Sequence, residues 1–115
     1  MTKDTLFLLK PDFHNGDKGP FYCPECALVE GMLSFYPKLR HKLDVNYVDF
    51  AKPRAAVVAL LGEANQGCPV LVLAEGRRVL DTGLEVKEAQ GRRFISNEAH
   101  IRRYLSATFG VGHAA

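Results

Sequence analysis

The chain has 115 residues, of which 47% are hydrophobic and 24% are charged, and its formal net charge is +2. This balance is that of a globular protein, and a single domain over residues 1–115 is long enough to bury a core. So small a net charge predicts neither a nucleic-acid partner nor a membrane partner.

The N-terminal segment lacks the pattern of an export signal. Thr2, Lys3 and Asp4 precede a short apolar run that ends at Lys10. No stretch approaches the roughly 20 apolar residues of a membrane span. With three cysteines in the chain, this predicts a cytoplasmic protein, in which paired cysteines more often serve redox chemistry or metal binding than structural stapling.

Strand and helix signals alternate along the first half of the chain. A continuous apolar run over residues 5–9 predicts a buried strand, and the prolines and glycines of residues 11–20 predict a loop. Apolar residues at helical spacing predict a largely buried helix over residues 24–36, stopped by Pro37. Alternating apolar and polar residues then predict a second strand over residues 43–50.

The second half of the chain begins with a short helix framed by Pro53 and Gly62. Residues 68–73 predict a buried strand entered through a proline. A tight turn then leads into residues 78–82 as the second arm of a hairpin. Residues 83–94 carry no clear pattern of their own.

The last helix is predicted to begin after a capping residue, Ser96 or Asn97, and to end before Gly110. Residues 110–115 are expected to form a flexible tail. The predicted order is therefore β-α-β-α-β-β-α. A βαβ beginning implies two parallel strands, and a hairpin adds an antiparallel pair, so we expect an α/β fold: a four-stranded mixed sheet with helices on both faces.

Two cysteines stand at the start of the first predicted helix, separated by Pro24 and Glu25. Cys23 is expected at the helix N-terminus, where unpaired N–H groups and the helix dipole favour a thiolate. Pro24 suits the first helical position because its φ is already helical. Cys26, in the first turn, can attack a mixed disulfide on Cys23. The pair is therefore predicted to be catalytic, with Cys23 as nucleophile and Cys26 as resolving thiol.

This cysteine pair, together with the proline at the start of the third predicted strand, resembles the thioredoxin-like superfamily over residues 5–109. The resemblance implies that Pro69 is a cis-proline beside the pair. It also implies that Cys68 offers backbone groups to a bound peptide or glutathione. Residues 21–26 and 68–73 look, in addition, like a bacterial thioredoxin-like family of unknown function.

The Cys-Pro-X-Cys form of the pair resembles glutaredoxins more than thioredoxins. For glutathione binding, this implies a role for Lys10, from a Lys-Pro pair ahead of the cysteines, and for Ser96 and Asn97 at the start of the last helix. Tyr22 and Pro24, beside the cysteines, complete the expected substrate-binding residues. The resemblance implies a thiol–disulfide oxidoreductase without a bound cofactor, acting on a disulfide-bearing protein or using glutathione as cosubstrate.

A second interpretation assigns the cysteines a non-catalytic role. If Pro69 lies beside the pair, the thiol of Cys68 lies close to those of Cys23 and Cys26. The three thiols could then bind zinc, with His14 in the preceding loop as the fourth ligand. The chain would then be a binding module of the same fold. A buried cysteine also serves simply as a small apolar residue. The sequence leaves these alternatives open, and it does not determine the oligomeric state.

Overall fold

A computed structural model describes all residues, 1–115, and shows an α/β fold of seven strands and four helices. The strands are β1 (Asp4–Leu9), β2 (Phe13–Asn15), β3 (Lys18–Phe21), β4 (Leu43–Val48), β5 (Val70–Val72), β6 (Lys87–Ala89) and β7 (Arg92–Ile95). The helices are α1 (Pro24–Phe35), α2 (Leu39–Lys42), α3 (Ala55–Leu61) and α4 (Glu98–Phe109). None of these helices has the length and apolar character needed to cross a membrane.

Five of the strands form one mixed sheet in the order β4-β1-β5-β7-β6. The central strand β1 pairs in parallel with β4 and antiparallel with β5, while β7 pairs antiparallel with both β5 and β6. The predicted α/β class with a mixed sheet is confirmed. The number of strands differs from the prediction, because β6 adds a fifth strand at the edge.

The core lies on both faces of the sheet because successive side chains of a strand point in opposite directions. Leu6 and Leu8 of β1 join the larger core cluster, which includes side chains of α1 and α4. Phe7 points the other way and packs with Val57 and Leu61 of α3. This explains why β1 is a continuous apolar run, since both of its faces are covered.

The prediction of a hairpin directly after the third strand is wrong. Residues 78–82 form no strand, and the strand that pairs with β5 on the side away from β1 is β7. The true hairpin, β6–β7, spans residues 87–95 and turns through Gln90 and Gly91, both with positive φ. A two-residue turn of this kind usually begins with Asn, Asp or Gly. Because Gln90 occupies the first position here, the sequence does not indicate a hairpin turn.

Residues 11–20, predicted to be a loop, contain the small hairpin β2–β3 that precedes α1. Its aromatic side chains fix it to the rest of the molecule: the ring of Phe13 stacks on that of Phe50, with centroids 4.4 Å apart, and also contacts Phe21. Gly19 has a φ of 132°, and a Cβ there would lie 2.8 Å from the carbonyl oxygen of Phe13. The hairpin therefore needs glycine at this position.

Helix α1 begins and ends close to the predicted positions, but it is not largely buried as predicted. Only one of its faces packs into the core, through Cys26, Val29 and Leu33. The neighbouring apolar row stays in solvent, with Leu28 52% exposed and Phe35 81% exposed. These side chains instead line a cleft between α1 and the C-terminal segment.

The last helix has the predicted caps. Asn97 is the N-cap of α4 and accepts a hydrogen bond from the N–H of His100, and Gly110 ends the helix in the left-handed conformation. Beyond it, in the segment expected to be a flexible tail, Val111 packs against the larger core cluster. The hydroxyl of Ser106 donates a hydrogen bond of 2.8 Å to the carbonyl oxygen of Gly112.

Candidate active site

Cys23 is the N-cap residue of α1. Its backbone is extended, and its Sγ accepts a hydrogen bond of 3.1 Å from the N–H of Cys26, which would otherwise lack a partner in the first turn. Pro24 follows within the first helical turn, where its missing N–H is not needed. The Cys23 side chain remains partly exposed. The Cys23 thiol therefore lies at the positive, N-terminal end of the twelve-residue helix α1 and is accessible to solvent.

Cys26 lies behind Cys23 and is only 4% exposed. Its Sγ lies 3.5 Å from the backbone nitrogen of Leu9, which donates to it from β1. The pKa of Cys26 is raised to about 12, chiefly by burial and then by the hydrogen bond with Cys23, while the Leu9 N–H acts in the opposite direction. Cys26 is therefore a neutral thiol at physiological pH. All three cysteines of the chain are free thiols in this structure.

Cys68 packs against both core clusters. It precedes Pro69 just before β5, and the peptide bond between them is cis, as the resemblance implies. Burial raises the pKa of the Cys68 thiol, while the guanidinium of Arg54 lowers it. Cys26 belongs to the larger core cluster, and both Cys23 and Cys68 pack against that cluster. The three thiols therefore share one neighbourhood.

The position of the Cys68 loop depends on Arg54, a residue that the sequence analysis missed. Arg54 is buried, and its guanidinium donates hydrogen bonds of 2.7 Å to the carbonyl oxygens of Phe50 and Gln66. It thereby ties the segment after β4 to the segment that leads to Cys68. The sequence offers one indication that Arg54 has a special role: it occupies the N-cap of α3, where Ser, Thr, Asp or Asn is usual.

A cleft of about 400 Å³ opens beside the cysteine pair. Seven of its nine lining residues are hydrophobic; the nine are Leu8, Leu9, Pro11, Tyr22, Cys23, Cys26, Ala27, Glu30 and Tyr47. The cleft gives a ligand access to the pair across an apolar surface. Pro11 and Tyr22, which flank the β2–β3 hairpin in the chain, are part of the cleft wall.

The only charged side chain in the cleft wall is Glu30, which the sequence analysis also missed. Its carboxylate accepts hydrogen bonds from Arg40, at 2.7 Å, and from the Tyr47 hydroxyl, at 2.8 Å. Partial burial raises the pKa of Tyr47, so its hydroxyl keeps its proton. Glu30 lies one helical turn after Cys26, a spacing that places both on one face of α1 and could have identified it.

Of the seven residues expected to bind substrate, only Tyr22 lines this cleft. Pro24, Cys68 and Pro69 are not part of its lining, and the remaining three are engaged elsewhere. Lys10 forms an exposed ion pair with Asp49, at 3.2 Å. Ser96 lines a different cleft, and the side chain of Asn97 is engaged in capping α4. Of the expected residues, the structure brings together Tyr22, the cysteine pair with Pro24 between them, and the Cys68–Pro69 segment.

The zinc interpretation finds no support in the arrangement of side chains. No group of three or more His, Cys, Asp or Glu residues is placed so that it could hold a metal ion. His14, the expected fourth ligand, lies in β2 with its side chain in solvent. The three thiols lie near one another without forming a ligand set.

Fold and site together define the class: an α/β protein with a five-stranded mixed sheet and a Cys-X-X-Cys pair at a helix N-terminus. The chain belongs to the family described as a protein of unknown function (DUF3088), whose model matches residues 3–113. No curated protein and no solved structure matches the chain. The family match includes the cysteine pair, the cleft and the Cys68–Pro69 segment.

At pH 8 we expect iodoacetamide to modify Cys23 long before it modifies Cys26. The pKa of Cys26 is raised from 9.0 to about 12, which lowers its thiolate fraction by about three powers of ten, and only the thiolate reacts. Timed alkylation followed by mass spectrometry measures both rates. Between pH 8 and 11 the rate at Cys26 should rise about tenfold per pH unit in the folded protein.

Urea-unfolded protein is the control, and there the two cysteines should react at similar rates. Similar rates in the folded protein would contradict the burial of Cys26.

The raised pKa of Cys26 also affects the stability of the fold, because the neutral thiol favours the folded state. This contribution is complete below pH 9 and is lost as the pH rises toward 12.

Proposed function

We propose that this protein is a thiol–disulfide oxidoreductase with a thioredoxin-like fold. The observation that carries the proposal is the environment of Cys23, whose sulfur accepts a hydrogen bond at the N-terminus of α1 while it borders an open cleft. The Cys26 thiol lies one helical turn behind it and is buried. An accessible nucleophile with a protected second thiol is the arrangement that two-step disulfide exchange requires.

The order of elements supports the thioredoxin-like part of the proposal. When the additions β2, β3, α2 and β6 are set aside, the remaining elements run β1-α1-β4-α3-β5-β7-α4. This is a β-α-β-α-β-β-α order, as predicted, but with β7 in place of the strand predicted over residues 78–82; α1 and α4 lie on one face of the sheet and α3 on the other. The cis peptide bond before Pro69, at the entrance to β5, further supports the proposal.

The proposed reaction proceeds in two exchanges. The Cys23 thiolate attacks one sulfur of a substrate disulfide, so that a mixed disulfide forms and the other substrate sulfur leaves as a thiolate. Cys26 then loses its proton and attacks the Cys23 sulfur, which releases the second substrate thiolate. The substrate gains two electrons, the protein is left with a Cys23–Cys26 disulfide, and a dithiol or thiol reductant must return it to the reduced state.

The test is the redox midpoint of the purified protein in glutathione buffers of graded potential, with zinc content measured on the same sample. We expect a reversible two-electron couple between roughly −180 and −270 mV, the span from disulfide isomerase to thioredoxin. Peptide mapping of the oxidised form should identify the paired cysteines as Cys23 and Cys26. Stoichiometric zinc, or thiols that stay unpaired across this range, would overturn the proposal and favour the non-catalytic module.

A further inference from the structure

We infer that the substrate of this site is a disulfide flanked by neutral, apolar groups rather than an anionic disulfide such as that of glutathione. The inference rests on the proposed function, because it names the substrate class of the same cysteine pair. It departs from the glutathione specificity that the resemblance to glutaredoxins implies.

The wall of the cleft beside Cys23 offers an anion no partner. Lysine and arginine are absent from its lining, and its only charge is the Glu30 carboxylate. Arg40, which neutralises Glu30, does not line the cleft. A carboxylate carried into this cleft would lose water without gaining a cation, and burying an unpaired charge is strongly unfavourable.

Three cations that adjoin the site, through a hydrogen bond or along the chain, are already occupied. Arg40 donates to Glu30 and to Tyr47, and Lys10 is paired with Asp49. Arg54 donates to two backbone carbonyl oxygens and lies with its guanidinium over the ring of Phe50. Because each of these side chains is already engaged, it attracts a further carboxylate less than a free cation would.

The same surface is well suited to apolar groups. Tyr22, at the edge of the cleft next to Cys23, is 66% exposed, so most of its ring is free to contact a ligand. Leu8, Leu9 and Ala27 supply further apolar surface. A neutral ring or aliphatic chain placed here would remove apolar area from water on both sides of the contact.

The experiment compares two aromatic disulfides that differ in charge, the neutral dithiodipyridine and the dianionic dithiobis(nitrobenzoate). The reduced full-length protein is mixed with each reagent in a stopped-flow instrument, and the rate is divided by that of the same reagent with free 2-mercaptoethanol. This division removes the intrinsic reactivity of the reagents. We expect a normalised preference of roughly tenfold or more for the neutral reagent, and the same direction for hydroxyethyl disulfide over glutathione disulfide.

A cation placed on the wall should reverse this selectivity. We expect Ala27→Lys to raise the normalised rate of the dianionic reagent roughly tenfold relative to the neutral one. Because the comparison is a ratio between reagents, a general change in the reactivity of Cys23 cancels. The matched control is Ala59→Lys, the same substitution at an exposed position of α3 outside the cleft, which should leave the ratio unchanged.

The outcomes separate the inference from the function on which it rests. If reagents of both charges are reduced with formation of a Cys23–Cys26 disulfide, and the anionic ones are preferred or equal, the substrate inference is wrong and the redox function stands. If the protein reacts with none of them beyond the free thiol and forms no such disulfide, the proposed function itself fails.

Discussion

Replacing Cys23 with serine should reduce the rate of disulfide reduction to that of the buffer, a loss of at least about a thousandfold. Cys26→Ser should have a different effect, because the first exchange needs only Cys23. In that variant the mixed disulfide forms and then persists, since no second thiol stands behind it. Rapid mixing with an excess of disulfide, followed by mass spectrometry of the intact protein, distinguishes the two results.

The different environments of the two sulfurs are the reason for this asymmetry. Cys23 borders the cleft and accepts a hydrogen bond at the helix terminus, whereas Cys26 is buried behind it against Leu9. Ser34→Ala, at an exposed position of the same helix, is the matched control and should react like the parent protein. Equal rates in the two serine variants, with no trapped adduct in Cys26→Ser, would contradict the assigned roles.

Replacing Asp4 with alanine should lower the free energy of unfolding by about 3–5 kcal/mol. Asp4 is completely buried at the start of β1. One carboxylate oxygen accepts hydrogen bonds from the N–H of Ala74, at 2.7 Å, and from Arg77, at 3.2 Å. The other oxygen accepts the hydroxyl of Tyr104 at 2.5 Å. This single side chain therefore links β1 with the segment after β5 and with α4.

Alanine would leave the buried Tyr104 hydroxyl and the Ala74 N–H without partners, and each such group costs about 1–3 kcal/mol. Urea unfolding followed by circular dichroism measures the loss. Asp49→Ala removes a carboxylate from an exposed ion pair and should cost less than about 1 kcal/mol. If the two alanine variants were equally stable, the buried network around Asp4 would not contribute to folding.

Local sequence signals were sufficient for most of the helices and for the cysteine pair. Cys23, Pro24 and Cys26 begin α1 as predicted, and Asn97 and Gly110 cap α4. These features depend on residues within one or two helical turns of one another. Capping, the restricted φ of proline and the spacing of apolar residues act at that range, so they can be read without knowing the fold.

Strand pairing was less predictable. Residues 78–82 have an acceptable strand pattern, yet β5 pairs with β7, which comes later in the chain. A strand of three or four residues gains its stability from the partner beside it and the layer above it, and neither is visible in its own residues. The same holds for β2–β3, which rests on the stacking of Phe13 on the distant Phe50.

The sequence by itself therefore determined the α/β class, the helix that carries the cysteine pair and the order of the two thiols along it. Only the tertiary structure decided how the charges around them are paired: Glu30 with Arg40 and Tyr47, Arg54 with Gln66, and Asp4 with Tyr104. These partners are 10 to 100 residues apart in the chain. They meet only when the sheet and helices have packed, and this packing leaves the cleft beside Cys23 apolar.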